Sequence, residues 1–260
     1  MPEMPEVEAV CRRLREQALG AQITGVKILR PRMVKGDIAA ACTSQSLNAI
    51  DRTGKYILLR FPTGGIQIHL RMTGSLYVIP DSRFLVATVR AVWDLADGRG
   101  IVLEDPRAHA RLEAVPSGYE PDVGIDPLSP TFTPRRLAAL AKQSRRPAKI
   151  FLLDQSQIAG LGNIYSAEIL FAAGLHPSRA MNSLTGPEIA RLHAATQRVL
   201  TDAIATAETY YLRPGHFQDQ EKQRLTVYGR EGEACRVCKH PIVRIVQATR
   251  STYLCLHCQE

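Results

Sequence analysis

The chain has 260 residues and a mass of 28.7 kDa, which predicts two domains with a core large enough to need no disulfides. Its 33 lysines and arginines outnumber 25 acidic residues, and the net charge of +8 favours a polyanion, above all nucleic acid, as partner. No stretch approaches the roughly 18 apolar residues of a membrane span and the N-terminus lacks a signal-peptide core, so we expect a cytoplasmic protein without a membrane partner.

The first residues carry a candidate nucleophile. Removal of Met1 would leave Pro2 with a free secondary amine, and α-amino groups titrate near about 7.7 to 8, so part of it is uncharged at neutral pH. Glu3 beside it is a candidate proton donor. The alternative is an ordinary helix start, because Pro5 and Glu6 are common first-turn residues.

Hydrophobic periodicity predicts the elements of the first domain. Apolar residues recur at helical spacing from Val7 to Ala18, and Gly20 ends that amphipathic helix. From Ile23 the period becomes two, which predicts a β-sandwich or flattened barrel with a hairpin turn at Asp97-Gly98. The strand-like segments are 23–30, 45–61, 65–79, 86–96 and 100–115.

A proline-rich stretch separates this part from a helical one. Residues 119–133 lack periodicity, and their stiff backbone predicts a linker unable to join a helix or sheet. Helical patterns follow at 134–143, 147–155, 164–173 and 187–208, and strand-like alternation returns from 224. The sequence thus predicts an α+β fold of two domains: a β-sandwich domain with its helix at 1–118, a linker at 119–133, and helices at 134–223 followed by a hairpin at 224–260.

The cysteines indicate a metal rather than a disulfide framework. Two CxxC pairs, separated by 16 residues, have the spacing of a tetrahedral structural zinc site that staples a small β-hairpin. The remaining Cys11 and Cys42 are expected to be buried side chains that only fill space in the core. The four predicted ligands of one zinc ion are Cys235, Cys238, Cys255 and Cys258.

Several cations and one helix start are candidates for phosphate contacts. Gln67, His69 and Arg71 share one face of a strand and predict a basic groove, and Lys55 follows a turn, where a solvated lysine is the alternative. Gly160-Leu161-Gly162-Asn163 interrupts two helices, so Asn163 is expected to cap the second. A plain helix corner is the alternative reading of that motif.

Arg250 is a further candidate for phosphate binding. It lies at or just after the tip of the predicted zinc hairpin, near Ala248-Thr249, where its guanidinium could bind phosphate oxygens bidentately. A solvated surface arginine is the alternative.

Together these residues resemble the formamidopyrimidine-DNA glycosylase and endonuclease VIII family, closer to the formamidopyrimidine branch. The resemblance covers essentially the whole chain through short motifs in the right order. These are Pro2 to Glu8, Lys55, His69 to Gly74, Asp105-Pro106-Arg107, Gly160 to Tyr165 with Glu168, Val227 to Arg230, and Thr249 to Thr252.

The resemblance implies a base-excision repair enzyme acting on damaged double-stranded DNA as a monomer in the cytoplasm, on the nucleoid. In that reading Pro2 attacks C1′ of the damaged nucleotide and Glu3 is the general acid that opens the sugar. An iminium intermediate then allows β,δ-elimination. The resemblance further implies phosphate contacts by Lys55, His69, Asn163 and Arg250, gap filling by Met72 and Arg107, and a lesion pocket with Glu6 and Glu168.

Two departures from the formamidopyrimidine branch concern specificity. His109 stands where a phenylalanine is usual, and the loop that closes over the flipped base looks shortened at Ala205 to Arg213. Both predict weaker selectivity for 8-oxoguanine opposite cytosine.

Core packing remains the alternative for Met72. A non-catalytic zinc-containing protein that binds damaged DNA is the alternative for the whole chain, although such a binder needs no Pro-Glu pair after the initiator methionine.

Overall fold

The computed structural model describes residues 2–210 and 224–260, the side chain of Tyr210 excepted. Two compact units, Met1–Pro121 and Asp122–Glu260, divide the chain. Helices and strands mix as the predicted α+β fold requires. The finer division of the second unit into a helical and a zinc-finger domain stays a prediction.

Two sheets form the first unit. The strand order is β1-β7-β8-β6 in one sheet and β2-β9-β5-β4-β3 in the other, and every pair is antiparallel except β2 with β9. These two sheets confirm the predicted β domain. Their strands are β1 (Ile23–Ile28), β2 (Val34–Lys35), β3 (Ala49–Thr53), β4 (Tyr56–Phe61), β5 (Gly64–His69), β6 (Ser75–Ile79), β7 (Val89–Leu95), β8 (Gly100–Glu104) and β9 (Arg111–Pro116).

Three of the strand-like segments are interrupted, and 45–61 divides into β3 and β4 at the turn already indicated before Lys55. The segment 65–79 breaks between β5 and β6, and the segment 100–115 breaks between β8 and β9. In the first break Arg71 has φ 58°, and in the second Ala108 has φ 52°. A left-handed residue stops a strand locally, whereas the apolar alternation continues through both breaks and hides them from periodicity alone.

Helix α1 (Met4–Ala18) packs on both sheets, since it contacts β3, β4 and β6. Its apolar stripe, including Val7 and Leu14, is completely buried. On its other side Glu8 accepts hydrogen bonds from Arg12 at 3.0 Å and from Arg52 of β3 at 2.9 Å. The helix that carries the N-terminus is therefore fixed by apolar burial and by a partly buried ion pair.

The two isolated cysteines lie in the core, as predicted. Cys11 of α1 and Cys42 of the short helix α2 (Ile38–Cys42) are both fully buried. Burial raises the pKa of each thiol to about 12. Neither is therefore an activated nucleophile at neutral pH.

The second unit is built around one buried helix. Its helices are α3 (Pro134–Lys142), α4 (Ala148–Leu153), α5 (Asn163–Ala173) and α6 (Gly186–Tyr210), and all four predicted helices are confirmed. Helix α5 is buried on nearly all sides and ends at Gly174, which has φ 68°. It contacts α4, α6 and the C-terminal hairpin of β10 (Val243–Gln247) and β11 (Arg250–Leu254). Across the described ranges no helix combines the length and apolar character needed to cross a bilayer.

The predicted linker joins no helix or named strand, but most of it lies in the second unit, which begins at Asp122, and its backbone pairs there through an isolated bridge. Gly124 donates its N–H to Gln155 O at 2.7 Å, Ile125 donates to Gln157 O at 3.1 Å, and Ala159 donates to Ile125 O at 2.9 Å. A Cβ on Gly124 would lie 2.3 Å from the carbonyl carbon of Gln157. The missing side chain thus allows two backbones to pair at a distance that any other residue would prevent.

Gly124→Ala is expected to lower the free energy of unfolding by about 1 to 3 kcal/mol, because the added methyl group must displace the backbone at Gln157. Gly186→Ala is the matched control, since a Cβ there meets nothing within 4 Å. Urea denaturation of both variants measures the difference. Equal stabilities would contradict the close approach at Gly124.

Candidate functional site

The N-terminal residues form a tightly capped helix start. Pro2, Glu3 and Glu6 are buried, with Glu3 1% and Glu6 2% exposed. The Glu3 N–H donates to Glu6 Oε2 at 2.8 Å, and the Glu3 side chain accepts from the Glu6 backbone amide, which completes a capping box. Met1 lies outside the described residues. The capping interpretation is confirmed, and the same bonds fix the carboxyl group of Glu3, the residue next to Pro2.

A basic groove lies on the sheet that contains β5. Gln67, His69 and Arg71 all line a cavity of about 400 Å³, which confirms that they share one face. Tyr56 packs edge-on against His69, with ring centroids 5.1 Å apart. Further cations around the cavity are Arg32, Lys35 and Arg111.

His69 is held as a neutral imidazole. The Arg71 N–H donates to His69 Nδ1 at 3.0 Å, so the ring proton lies on Nε2. Burial lowers the pKa of His69 to about 4, and the positive charges of Arg71 and Lys55 act in the same direction. Lys55 itself lies in the turn between β3 and β4, next to Tyr56. At neutral pH His69 can therefore offer an N–H donor to a phosphate without carrying charge.

The two predicted gap-filling residues, Met72 and Arg107, and the nearby His109 lie in the two breaks between strands. Met72 is 46% exposed, so the core-packing alternative is wrong for this side chain. Arg107 and His109 are also exposed, in the break between β8 and β9. All three side chains therefore project from turns rather than from strands.

The sequence predicted that Asn163 caps helix α5, and this prediction is wrong. The N-cap is Gly162, and Asn163 is the first helical residue. The amide of Asn163 instead reaches the C-terminal hairpin, because Nδ2 donates to Ser251 O at 3.0 Å and lies 3.5 Å from the Tyr228 hydroxyl. Its Oδ1 is buried and has no hydrogen-bond partner among the described residues. The glycine before it provides the cap conformation, so the side chain is available for a tertiary contact.

A fully buried lysine joins the same contact. Lys149 of α4 is 0% exposed, and its Nζ donates to Ser251 O and to Thr252 Oγ1, each at 2.8 Å. Arg250 directly precedes these residues, is exposed, and follows a turn in which Ala248 and Thr249 have φ 45° and 65°. The hairpin tip with Arg250 is thus attached to the helices through the Ser251 carbonyl.

Glu168 organises a backbone segment. Its carboxylate accepts the N–H groups of Thr226 at 2.8 Å and of Val227 and Tyr228 at 2.9 Å each. The side chain is 6% exposed. It also lines a cavity of about 230 Å³ between α5, α6 and residues 224–226. Its place in a lesion pocket stays a prediction.

The four terminal cysteines form a metal-binding cluster. Their Sγ atoms all lie within 4.8 Å of one another, with Cys235 Sγ 3.9 Å from Cys258 Sγ and Cys238 Sγ 3.3 Å from Cys255 Sγ. Zinc–sulfur bonds of about 2.3 Å in a tetrahedron place sulfurs about 3.8 Å apart, so the cluster fits one zinc ion. Val227, Ile242 and Ala167 of α5 pack beside it.

Three family models match consecutive parts of this chain. The formamidopyrimidine-DNA glycosylase N-terminal domain matches residues 1–112, the formamidopyrimidine-DNA glycosylase H2TH domain matches residues 123–212, and the zinc finger found in FPG and IleRS matches residues 232–260. The chain belongs to the formamidopyrimidine-DNA glycosylase family. Formamidopyrimidine-DNA glycosylase of Chloroflexus aggregans is 38% identical over 100% of this chain and 98% of that protein.

Solved structures of the family agree over the whole length. The Thermus thermophilus MutM (Fpg) protein is 35% identical, with a TM-score of 0.86 over 99% of this chain and 98% of that one. The Lactococcus lactis enzyme bound to a FAPY-dG containing DNA is 28% identical, with a TM-score of 0.89 over 99% of this chain and 100% of that one. The predicted resemblance is confirmed, and the cysteine cluster is a zinc finger of the kind found in this family.

The segment predicted to be shortened begins inside α6, which includes residues 205–210, and residues 211–213 lie outside the described residues.

Sequence reasoning missed Lys149 as a contact of the hairpin. A lysine in the apolar run Ala148-Lys149-Ile150-Phe151-Leu152 was the available signal, because a buried lysine requires hydrogen-bond partners.

Removal of zinc, or Cys238→Ser, is expected to unfold the hairpin and to reduce DNA affinity at least about tenfold, because Arg250 loses its support. Metal analysis should give one zinc per chain of the unaltered protein. Cys42→Ala is the control, since it removes a buried thiol outside the cluster. Full DNA affinity in the metal-free protein would contradict the role of the finger.

Lys149→Met is expected to lower the free energy of unfolding by about 1 to 3 kcal/mol and to weaken DNA binding, because Thr252 Oγ1 and one lone pair of Ser251 O lose their donor. Lys142→Met removes the same charge from an exposed position of α3 and serves as control. Denaturation and anisotropy titrations measure both effects. The zinc content should stay unchanged in both variants.

Stability should fall on acidification partly through His69. Its pKa is about 4 in the folded chain, below the usual 6.5, so the unfolded chain binds a proton more readily and stability is lost as pH falls from about 6.5 to 4. His69→Asn, which keeps an acceptor for the Arg71 N–H, should lose less stability over this interval. His176→Asn is the control, since His176 Nδ1 accepts the Ser178 N–H at 3.2 Å. Parallel pH profiles of wild type and His69→Asn would contradict the assignment.

Proposed function

We propose that the protein is a bifunctional DNA glycosylase and abasic-site lyase that removes oxidised or ring-opened bases from duplex DNA. The observation that carries the proposal is the N-terminal geometry, in which a buried, capped helix start holds Glu3 beside Pro2. Relatives support it, since structures of the Lactococcus lactis enzyme contain an abasic site or FAPY-dG in their DNA.

The chemistry follows from a secondary amine with a carboxyl group beside it. The amine of Pro2 attacks C1′ as the bond from C1′ to the base breaks, and the departing base takes up the proton that the amine loses. Glu3 then gives a proton to the ring oxygen, the bond from C1′ to that oxygen breaks, and the sugar opens. The product is an iminium cation, which acidifies the C2′ protons. Loss of a C2′ proton expels the 3′ phosphate, and a second elimination expels the 5′ phosphate.

Each unit contributes phosphate contacts in this proposal. Lys55 and His69 act in the first unit, where His69 donates Nε2–H as a neutral ring. Arg250 and Asn163 act in the second unit. Because the Asn163 amide already binds Ser251 O at 3.0 Å, part of its contribution is to hold the hairpin that presents Arg250.

The lesion itself has to leave the base stack before Pro2 can reach C1′. Met72, Arg107 and His109 are exposed on turns and are assigned to the space that the nucleotide vacates. Glu6 and Glu168 are assigned to the lesion pocket, Glu6 through its bond to the Glu3 N–H and Glu168 through the backbone amides of residues 226–228 that it fixes. We expect the enzyme to act as a monomer in the cytoplasm, on the nucleoid.

A non-catalytic binder of damaged DNA would use the same phosphate contacts but would have no need of the buried Pro2 and Glu3 pair. Kinship supports the enzyme, because the chain matches formamidopyrimidine-DNA glycosylases over its full length.

Borohydride present during reaction with duplex DNA containing a ring-opened guanine should link the protein covalently to DNA through Pro2, because only the iminium is reduced. Peptide mass spectrometry locates the link. Glu3→Gln should slow base excision more than cleavage of a ready-made abasic site.

An uncleaved N-terminal tag, which turns the Pro2 amine into an amide, is the matched control for this experiment. It should abolish the link and preserve DNA binding. If oxidised, ring-opened and abasic substrates all fail to give a link with the mature protein, the protein is a binder and not an enzyme.

A further inference from the structure

One buried carboxylate joins two turns of the first unit. The turn at residues 70–74 carries Met72, and the turn at residues 105–110 carries Arg107 and His109. Asp105 is 0% exposed, and its Oδ1 accepts a hydrogen bond from the hydroxyl of Thr73, 32 residues away in the chain. This bond connects the turns that present the gap-filling side chains.

The same carboxylate shapes its own turn. The Arg107 N–H donates to Oδ1 at 3.2 Å, and the N–H groups of His109 and Ala110 donate to Oδ2 at 2.6 and 2.8 Å. With Thr73, four donors converge on two oxygens, which is about the full acceptor capacity of a carboxylate. Ala108 is held at φ 52° within this turn. A residue other than glycine keeps that conformation only where its surroundings impose it.

Arg90 of β7 fixes the main chain of the 105–110 turn. Its side chain is 9% exposed, Nε donates to Asp105 O at 2.8 Å, and Nη2 donates to Pro106 O at 3.3 Å. The Asp105 N–H in turn donates to Thr88 O at 2.9 Å. The position of Asp105 is therefore set by the sheet and not by the exposed part of the turn.

The 70–74 turn is fixed at three points. The Arg71 N–H binds His69 Nδ1 at 3.0 Å, the Gly74 N–H binds Leu70 O at 3.1 Å, and Thr73 binds Asp105. A Cβ on Gly74 would lie 2.5 Å from Leu70 O, so only glycine fits there. Arg71 and Met72 are left as the exposed tip of the turn.

We infer that Asp105 is a positioning residue for base excision, which holds the Met72 turn and the Arg107–His109 turn as one preassembled unit. The inference rests on the proposed function, in which these side chains fill the gap left by the extruded nucleotide. Groups that enter one gap together bind better when their relative position is fixed beforehand. The conformational entropy of ordering both turns is then lost when the protein folds and not when it binds DNA.

Two variants test the bridge, and a third is a matched control. Thr73→Val removes only the bond between the turns, whereas Asp105→Asn also replaces an acceptor by an amide that faces donors. Thr88→Val removes the hydrogen bond from the Thr88 hydroxyl to Glu104 Oε1. This is also a bond from a threonine hydroxyl to a carboxylate, but it does not connect the two turns. Thermal melts check that each variant folds.

The decisive readout is a ratio of two single-turnover rates, for a ring-opened guanine paired in duplex DNA and for a ready-made abasic site. Thr73→Val should slow excision of the paired lesion about tenfold and Asp105→Asn more, with cleavage of the abasic site changed less than about threefold. Thr88→Val should leave both rates within about twofold. A variant that only loosened the fold would slow both reactions alike.

A double-mutant cycle adds a second test. In a Met72→Ala background, Thr73→Val should slow excision of the paired lesion little further, because the Met72 side chain that Thr73 helps to position is already absent. Additive losses, an equal slowing of both substrates, or an unchanged ratio in Thr73→Val would overturn the inference. If Asp105→Asn does not fold, Thr73→Val decides alone. Absence of excision and of the borohydride link in the unaltered protein would instead overturn the proposed function.

Discussion

The nucleophile proposed for the end of this chain must be held in place by structure that chain ends usually lack, because termini fray unless they are tied down. The first unit meets this constraint within a few residues. Glu3 and Glu6 exchange capping bonds, the apolar stripe of α1 is buried on strands of both sheets, and Glu8 binds Arg52 of β3 at 2.9 Å. The position of Pro2 therefore depends on the whole first unit.

The second unit meets a comparable constraint at its other end. A two-stranded hairpin of this size has almost no core of its own, and zinc supplies only the crosslink at its base. Buried polar groups connect it to the helices: Lys149 and Asn163 bind the Ser251 carbonyl, and Glu168 binds three backbone amides before the finger. These contacts explain how Arg250 can have a fixed position on a small exposed hairpin.

The sequence predicts the elements of this fold well where one period dominates. Helix α1, the four helices of the second unit and the zinc ligands follow from spacing, because helical periodicity and paired cysteines are local signals, whereas the single turn of α2 was not predicted. The breaks at residues 70–74 and 105–110 were missed, since they depend on His69, Asp105 and Arg90 meeting backbone groups that are close only in the folded chain. The Asn163 cap was wrong for the same reason, because a contact with Ser251, 88 residues away, decides where its side chain points.

The isolated cysteines have a practical meaning for anyone who handles the protein. Thiol reagents attack thiolates, and burial with a pKa of about 12 leaves Cys11 and Cys42 almost entirely protonated and shielded from solvent. The only other thiols in the chain are the four zinc ligands. Alkylation of the native protein therefore works as a gauge of metal occupancy: a loaded molecule gains no label, and a stripped one gains up to four.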